Sequence, residues 1–265
     1  MQNKTPNPII RNSTGLFNST RVPGITKDTL VKGQGRHVMI QRGSDFYKLD
    51  VLNPDGSIVP VGQIQHALEH ILASKVSYDA EPLGILTTME RTKWAKTRDA
   101  MMESSVNKAS ISDIDSSLFA VCFEDHIPSS FVDQQNTMLF GGASKNRGRN
   151  RWFDKSFQLI ILPNGTAALN FEHSWGDGVA VLRYFNEVAK DAANMPATTA
   201  TVAPPSPPTK LNFEVTPQVS NTIKEACKAY DGVCESVEHL VFEVPGFTAN
   251  YIKSKGLGLD GVLQV

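Results

Sequence analysis

Arg151-Trp152-Phe153-Asp154-Lys155-Ser156-Phe157-Gln158-Leu159-Ile160-Ile161-Leu162-Pro163-Asn164-Gly165-Thr166-Ala167-Ala168-Leu169-Asn170-Phe171-Glu172-His173-Ser174-Trp175-Gly176-Asp177-Gly178 is the stretch whose reading decides the fold. Phe157 to Leu162 is a short apolar run rich in β-formers, and Pro163-Asn164-Gly165-Thr166 is a strong turn signal. Asn-Gly tolerates the positive φ angles of tight hairpin turns. The returning segment alternates, so Leu169, Phe171 and His173 share one face and Asn170 and Glu172 the other. His173 is therefore expected to point into apolar surroundings, or into a cavity lined by Leu169 and Phe171.

A helix is expected to start near Gly178, with Val179, Leu182, Phe185 and Ala189 as its core face. An imidazole enclosed in apolar surroundings is favoured in its neutral, proton-accepting form. Two roles fit that pattern: a general base, or a core histidine whose ring nitrogens are satisfied by backbone. Asp177 reads as the N-cap of the following helix.

The stretch resembles the signature of the carnitine/choline O-acyltransferase family. Asn150-Arg151-Trp152-Phe153-Asp154-Lys155, Glu172-His173-Ser174 and the continuation to Arg183 carry the resemblance. Leu16-Phe17-Asn18-Ser19-Thr20-Arg21-Val22-Pro23 and Lys210-Leu211-Asn212-Phe213-Glu214 extend it, from about Gly15 to the last residue. The resemblance implies an α/β fold of the chloramphenicol-acetyltransferase-like CoA-dependent acyltransferase type, incomplete at both ends. It implies direct transfer of long-chain fatty acyl groups between coenzyme A and carnitine, in fatty-acid import and β-oxidation, without an acyl-enzyme. His173 matches the family's general base, and Asp177 its supporting acidic position. Lys253, Lys255 and Asp260 match the stretch that contacts CoA.

CoA or acyl-CoA is implied as co-substrate, with no permanently bound cofactor and no metal. Carnitine is the second small-molecule partner, and peripheral membrane association is implied for the full-length enzyme. The location implied is the matrix side of the mitochondrial inner membrane. Two alternatives stand beside this reading: a catalytically incompetent fragment retaining at most partial CoA binding, or a relative acting on medium or short chains.

Residues 1–14 depart from the family pattern and read as a disordered leader. Residues 15–193 would carry the catalytic histidine, and 194–209 form a loop rich in proline, alanine and threonine. Residues 210–265 would begin the CoA-binding half, stopping inside a helix. Carnitine-contacting residues are expected beyond Val265.

Composition agrees with an α/β globular chain. The 265 residues can bury a real core. A net charge of −1 gives no global electrostatic case for nucleic acid. Three cysteines, Cys122, Cys227 and Cys234, show no metal-ligand clustering and read as reduced thiols. No apolar run approaches the ~18 residues of a spanning helix, and the first residues show no signal or transit segment.

His37–Gln41, Phe46–Leu52, Leu118–Phe123, Leu211–Val215 and Val237–Val244 read as strands. Residues 60–74, 90–102 and 217–230 read as helices. His66, Glu69 and His70 fit a zinc-peptidase spacing but fall on the solvent side of their helix with no third ligand. Lys145 to Arg151 is locally basic and reads as a solvated loop.

Overall fold

In a computed structural model of the protein, residues 15–76, 81–142, 147–195 and 207–264 are described. Eight strands are seen among them: β1 (Ser19–Val22), β2 (Thr29–Lys32), β3 (His37–Arg42), β4 (Asp45–Asp50), β5 (Ala120–Phe123), β6 (Phe157–Ile161), β7 (Ala167–Phe171) and β8 (Thr209–Lys210). The helices are α1 (Val61–Ala73), α2 (Arg91–Met101), α3 (Ser105–Ser116), α4 (Phe131–Phe140), α5 (Gly178–Asn194), α6 (Pro217–Glu235), α7 (Ala249–Ser254) and α8 (Leu259–Leu263), with a 3₁₀ turn at Leu83–Thr88.

Six strands form one mixed sheet in the order β7-β6-β5-β3-β4-β8. β3 lies near the middle, antiparallel to β4 and parallel to β5, and its first five residues are buried. Alternation divides its side chains between two cores. Met39 joins Phe46, Trp94, Ile111, Ile114, Trp152 and Ile223 on one face, under α2, α3 and α6. Val38 and Ile40 join Leu49, Val121 and Phe123 on the other, under Ala67 and Ile71 of α1. The α/β expectation thus holds, with helices covering both faces of a mixed sheet.

The β6–β7 hairpin forms as the sequence suggests. Phe157 pairs with Phe171 and Ile161 with Ala167. Gly165 takes φ +82°, and Asn164 Oδ1 accepts from the Thr166 amide at 3.0 Å. β7 is the outer strand of the sheet on that side, which decides how much of the following turn is covered.

Several expectations are corrected. Only Thr209 and Lys210 pair with β4; the Leu211 amide donates once to Phe46 O and Leu211–Val215 then runs on without a ladder. Val237–Val244 forms no strand, and Leu240 and Phe242 stand about three-quarters exposed. Alternating apolar residues make a strand only where a sheet edge meets them.

The basic segment is not a solvated loop over its described part. Arg151 is fully buried, paired with Glu124 and donating to Thr137 O at 2.7 Å, while Arg147 reaches Asp231 O and Glu235. Those pairings neutralise Arg147 and Arg151. Lys145 and Asn146 lie outside the described residues, as do 196–206 of the expected loop and Val265.

The core face foreseen for α5 is also wrong. Val179 and Leu182 are 73% and 60% exposed, and Ala189 is exposed. The helix docks instead through buried Val181 and through Tyr184, whose ring meets Phe17 and Phe157 at 5.8 Å. Two apolar stripes run along α5, and the alternative one packs.

Candidate active site

His173 sits two residues past the end of β7, in the turn leading to α5. Both flanks of that turn are tied to one atom. The Glu172 amide donates to Ser156 O at 3.0 Å, and Trp175 Nε1 donates to the same oxygen at 2.8 Å. Ser156 is itself buried and fixed, its amide donating to Ser19 O (3.0 Å) and its hydroxyl to Leu16 O (2.6 Å). Gly15 lies so close to Trp175 that an added Cβ would stand 2.7 Å from the Trp175 Cβ. The segment before β1 thus packs on the histidine turn.

The imidazole is exposed, its ring centroid 5.3 Å from that of Phe171. No hydrogen bond to it is found among the described residues. Neither an enclosed base nor a core histidine describes this chain. β7 is an outer strand, and α5 begins at Gly178 beside Phe171, where an added Cβ would meet the Phe171 ring at 3.4 Å, and docks further along through Tyr184 on Phe157. Leu169 and Phe171 keep partial cover while His173, further along, does not.

Asp177 is the N-cap of α5, as its position suggests. Its carboxylate accepts from the Val179 amide at 3.5 Å and its carbonyl from the Ala180 amide at 3.1 Å. Lys253, Lys255 and Asp260 are all exposed, on or between α7 and α8. Lys255 Nζ lies 5.4 Å from the Tyr251 ring centroid, and Asp260 accepts from Gln264 Nε2 at 3.1 Å. No hydrogen bond or ion pair among the described residues joins these three to the histidine turn. His66, Glu69 and His70 are exposed on α1, and no described group of three or more His, Cys, Asp or Glu could hold a metal ion.

Sequence reasoning missed a line of alternating charges that ends at this turn. Trp94 Nε1 donates to Asp154 Oδ2 at 2.7 Å, and Asp154 Oδ1 pairs with Arg91 Nη1 at 2.7 Å. Arg91 Nε and Arg21 Nε both meet Asp28 Oδ2, at 2.7 and 2.6 Å. Arg21 Nη1 then reaches Glu172 Oε1 at 3.2 Å. Burial pushes the Asp154 carboxyl up to about 6 against the pull of Arg91 and Trp94. Burial also raises Asp28, but the two arginines outweigh it and hold that carboxyl below its usual range. Arginines at 21 and 91 beside carboxylates at 28 and 154 are the only signal in the sequence, and their spacing is too long to pair by inspection.

Beside this line lies Lys155, fully buried. Its ammonium donates to Thr20 Oγ1 and Asp115 O, both at 2.8 Å. Burial pulls Lys155 down to about 7, only partly opposed by the Asp115 charge.

A model of the choline/carnitine O-acyltransferase family matches residues 9–265. The chain belongs to that family. Among curated proteins it is 40% identical over 258 residues to the mitochondrial carnitine O-palmitoyltransferase 2 of Macaca fascicularis, covering 94% of this chain and 38% of the relative. The Bos taurus protein of the same name is 39% identical over the same shares. The carnitine O-acetyltransferase of Columba livia is 30% identical over 260 residues, 94% of this chain and 42% of that protein. The chain therefore spans about two fifths of the length of these relatives. Within the family segment, Arg151-Trp152 and Asp154-Lys155-Ser156 are buried, and the hairpin that follows ends at Phe171, two residues before His173. No described helix is long and apolar enough to cross a membrane.

Proposed function

We propose that this chain carries the general base of an acyl transfer between coenzyme A and carnitine, and that His173 is that base. One observation carries the reading: an open imidazole stands on a turn pinned from both sides to Ser156 O, in a family whose similar members are named carnitine acyltransferases. An exposed ring on a fixed backbone suits a group that must meet substrate.

In one direction the imidazole takes the proton of the CoA thiol, and the thiolate attacks the carbonyl of acylcarnitine. In the other it takes the proton of the carnitine 3-hydroxyl, and the alkoxide attacks the acyl-CoA thioester. The tetrahedral intermediate collapses, and the imidazolium returns its proton to the departing oxygen or sulfur. No acyl group is held on the protein. General-base help of this kind supplies roughly 10²–10⁴-fold; the rest comes from aligning two substrates and stabilising the oxyanion. Asp177 supports the site by fixing where α5 begins.

Higher identity to palmitoyltransferases than to the acetyltransferase favours long acyl chains, and the mitochondrial palmitoyltransferases it resembles favour mitochondria. For the remaining assignments the family resemblance is the support. Residues 15–193 carry the base and 210–265 open the CoA-binding half, where Lys253, Lys255 and Asp260 are its contacts. The mixed sheet is one part of a chloramphenicol-acetyltransferase-like architecture, and the matrix side of the inner membrane is its place.

The openness of His173 favours a second reading for this polypeptide taken alone. A base without an opposing wall aligns no second substrate, so partial CoA binding would remain without turnover. An assay of this polypeptide with palmitoyl-CoA and carnitine separates the two. Release of CoA that disappears in His173→Ala supports the first; CoA binding by calorimetry with no turnover supports the second. Turnover that survives His173→Ala overturns the role given to His173.

A further inference from the structure

We propose that Glu172, held by Arg21, is a positioning residue that fixes the backbone carrying His173. The Glu172 carboxylate reaches over the histidine to accept from the Ser174 amide at 2.9 Å and from the Ser174 hydroxyl. Its other oxygen is taken by Arg21. His173 therefore lies inside a small ring closed by the residues before and after it. Rotation of that backbone would break the Glu172–Ser174 bonds.

Arg21 ties the ring to the core. Its Nε is held by Asp28, which also pairs with Arg91; Arg91 in turn pairs with Asp154, which accepts from buried Trp94. The Glu172 side chain is 11% exposed and that of Arg21 is 35% exposed, so the last link is partly screened. A partly exposed, partly screened pair of this kind contributes modestly to global stability. Its value is directional: a planar guanidinium fixed on one side by Asp28 presents its other donor to Glu172 in one orientation. The alternating signs leave no member of the line with only like-charged neighbours.

This inference rests on His173 being the base. A misplacement of about 1 Å at a reacting group costs on the order of 10²-fold in rate. In Arg21→Ala, kcat is expected to fall by about that factor, with KM for both substrates within about twofold. Arg21→Lys, which keeps a charge near Glu172, is expected to recover part of the loss.

The test readable without turnover is NMR of the chain labelled at histidine Cε1, with the His173 resonance assigned by its loss in His173→Ala. The native turn gives one resonance displaced from free histidine by the Phe171 ring. Arg21→Ala and Glu172→Gln are expected to move it toward the free value while β3 and β6 amides stay in place. An unmoved His173 resonance in both variants overturns the proposal, as does undiminished kcat in Arg21→Ala where His173→Ala abolishes turnover. Persistent turnover in His173→Ala would sink the functional reading instead, and the NMR result would still judge the ring.

Discussion

Trp175 Nε1 and the Glu172 amide converge on the carbonyl oxygen of Ser156, at 2.8 and 3.0 Å, so both flanks of the histidine turn share one buried anchor. Trp175→Phe keeps a flat ring and removes one of the two bonds. A lost hydrogen bond of this type costs about 1 kcal/mol. The Glu172 amide is then expected to exchange its proton faster while amides in β5 and β3 are unchanged. Hydrogen exchange read by NMR checks this, and unaltered protection at Glu172 would argue against a shared anchor.

Asp177→Ala is expected to lose about 1 kcal/mol, the usual cost of removing an N-cap acceptor. Asp177→Asn retains an acceptor oxygen and should lose less than half of that. Urea unfolding of the three proteins decides the order. Equal stability in all three would mean that the 3.5 Å bond to Val179 does not cap α5.

Arg151→Met should be among the most damaging single changes in this chain. It strands Glu124, whose side chain is 7% exposed, without its partner. Breaking one side of a buried pair costs about 3–5 kcal/mol, whereas replacing both sides can be nearly neutral. Arg151→Met combined with Glu124→Leu is therefore predicted to be more stable than Arg151→Met alone. Thermal unfolding gives the comparison, and a double variant worse than the single one would contradict the burial argument.

Lys155 gives the chain a pH signature. Its amine titrates near 7 when folded but only near the ordinary lysine value when unfolded. Between those values the unfolded chain holds the extra proton at Lys155, so the Lys155 contribution to stability rises with pH above about 7. The cysteine thiols, whose folded pKa values burial raises, work the other way once unfolded thiols ionise. The upper bound of the Lys155 contribution is about 5 kcal/mol by the time pH reaches the unfolded value. In Lys155→Met this rise should flatten. Urea melts from pH 7 to 8, below the range where most unfolded cysteines and tyrosines ionise, test it; parallel pH profiles for both proteins would refute it.

How much of this was legible in the sequence depended on local chemistry. The β6–β7 hairpin follows from β-formers and an Asn-Gly turn, both short-range signals. α3 went unread because its apolar residues are sparse, and α4 because its apolar residues (Phe131, Val132, Met138, Leu139, Phe140) sit at its two ends without a helical period between them. Ser104 and Ser130, which accept from the amides of Asn107 and Asp133, were the available start signals. His173 follows the alternation of β7 correctly onto the face of Phe171, yet alternation does not say where cover ends. That depends on which strand is outermost and where α5 returns, both long-range facts. The same limit explains α5, whose two apolar stripes are equivalent on a helical wheel until Phe17 and Phe157 choose Tyr184. Arg151 read as part of a solvated loop, and nothing in the sequence marked Lys155 as buried, because lysine and arginine are seldom fully buried. Their partners, Glu124, Thr20 and Asp115, lie far away in sequence.

The most direct test of the account is the rate of CoA release from palmitoyl-CoA in the presence of carnitine, for a protein containing this segment and its His173→Ala variant. The account predicts a fall of at least about 10²-fold in kcat with little change in melting temperature. A variant that transfers the acyl group at the wild-type rate would contradict it.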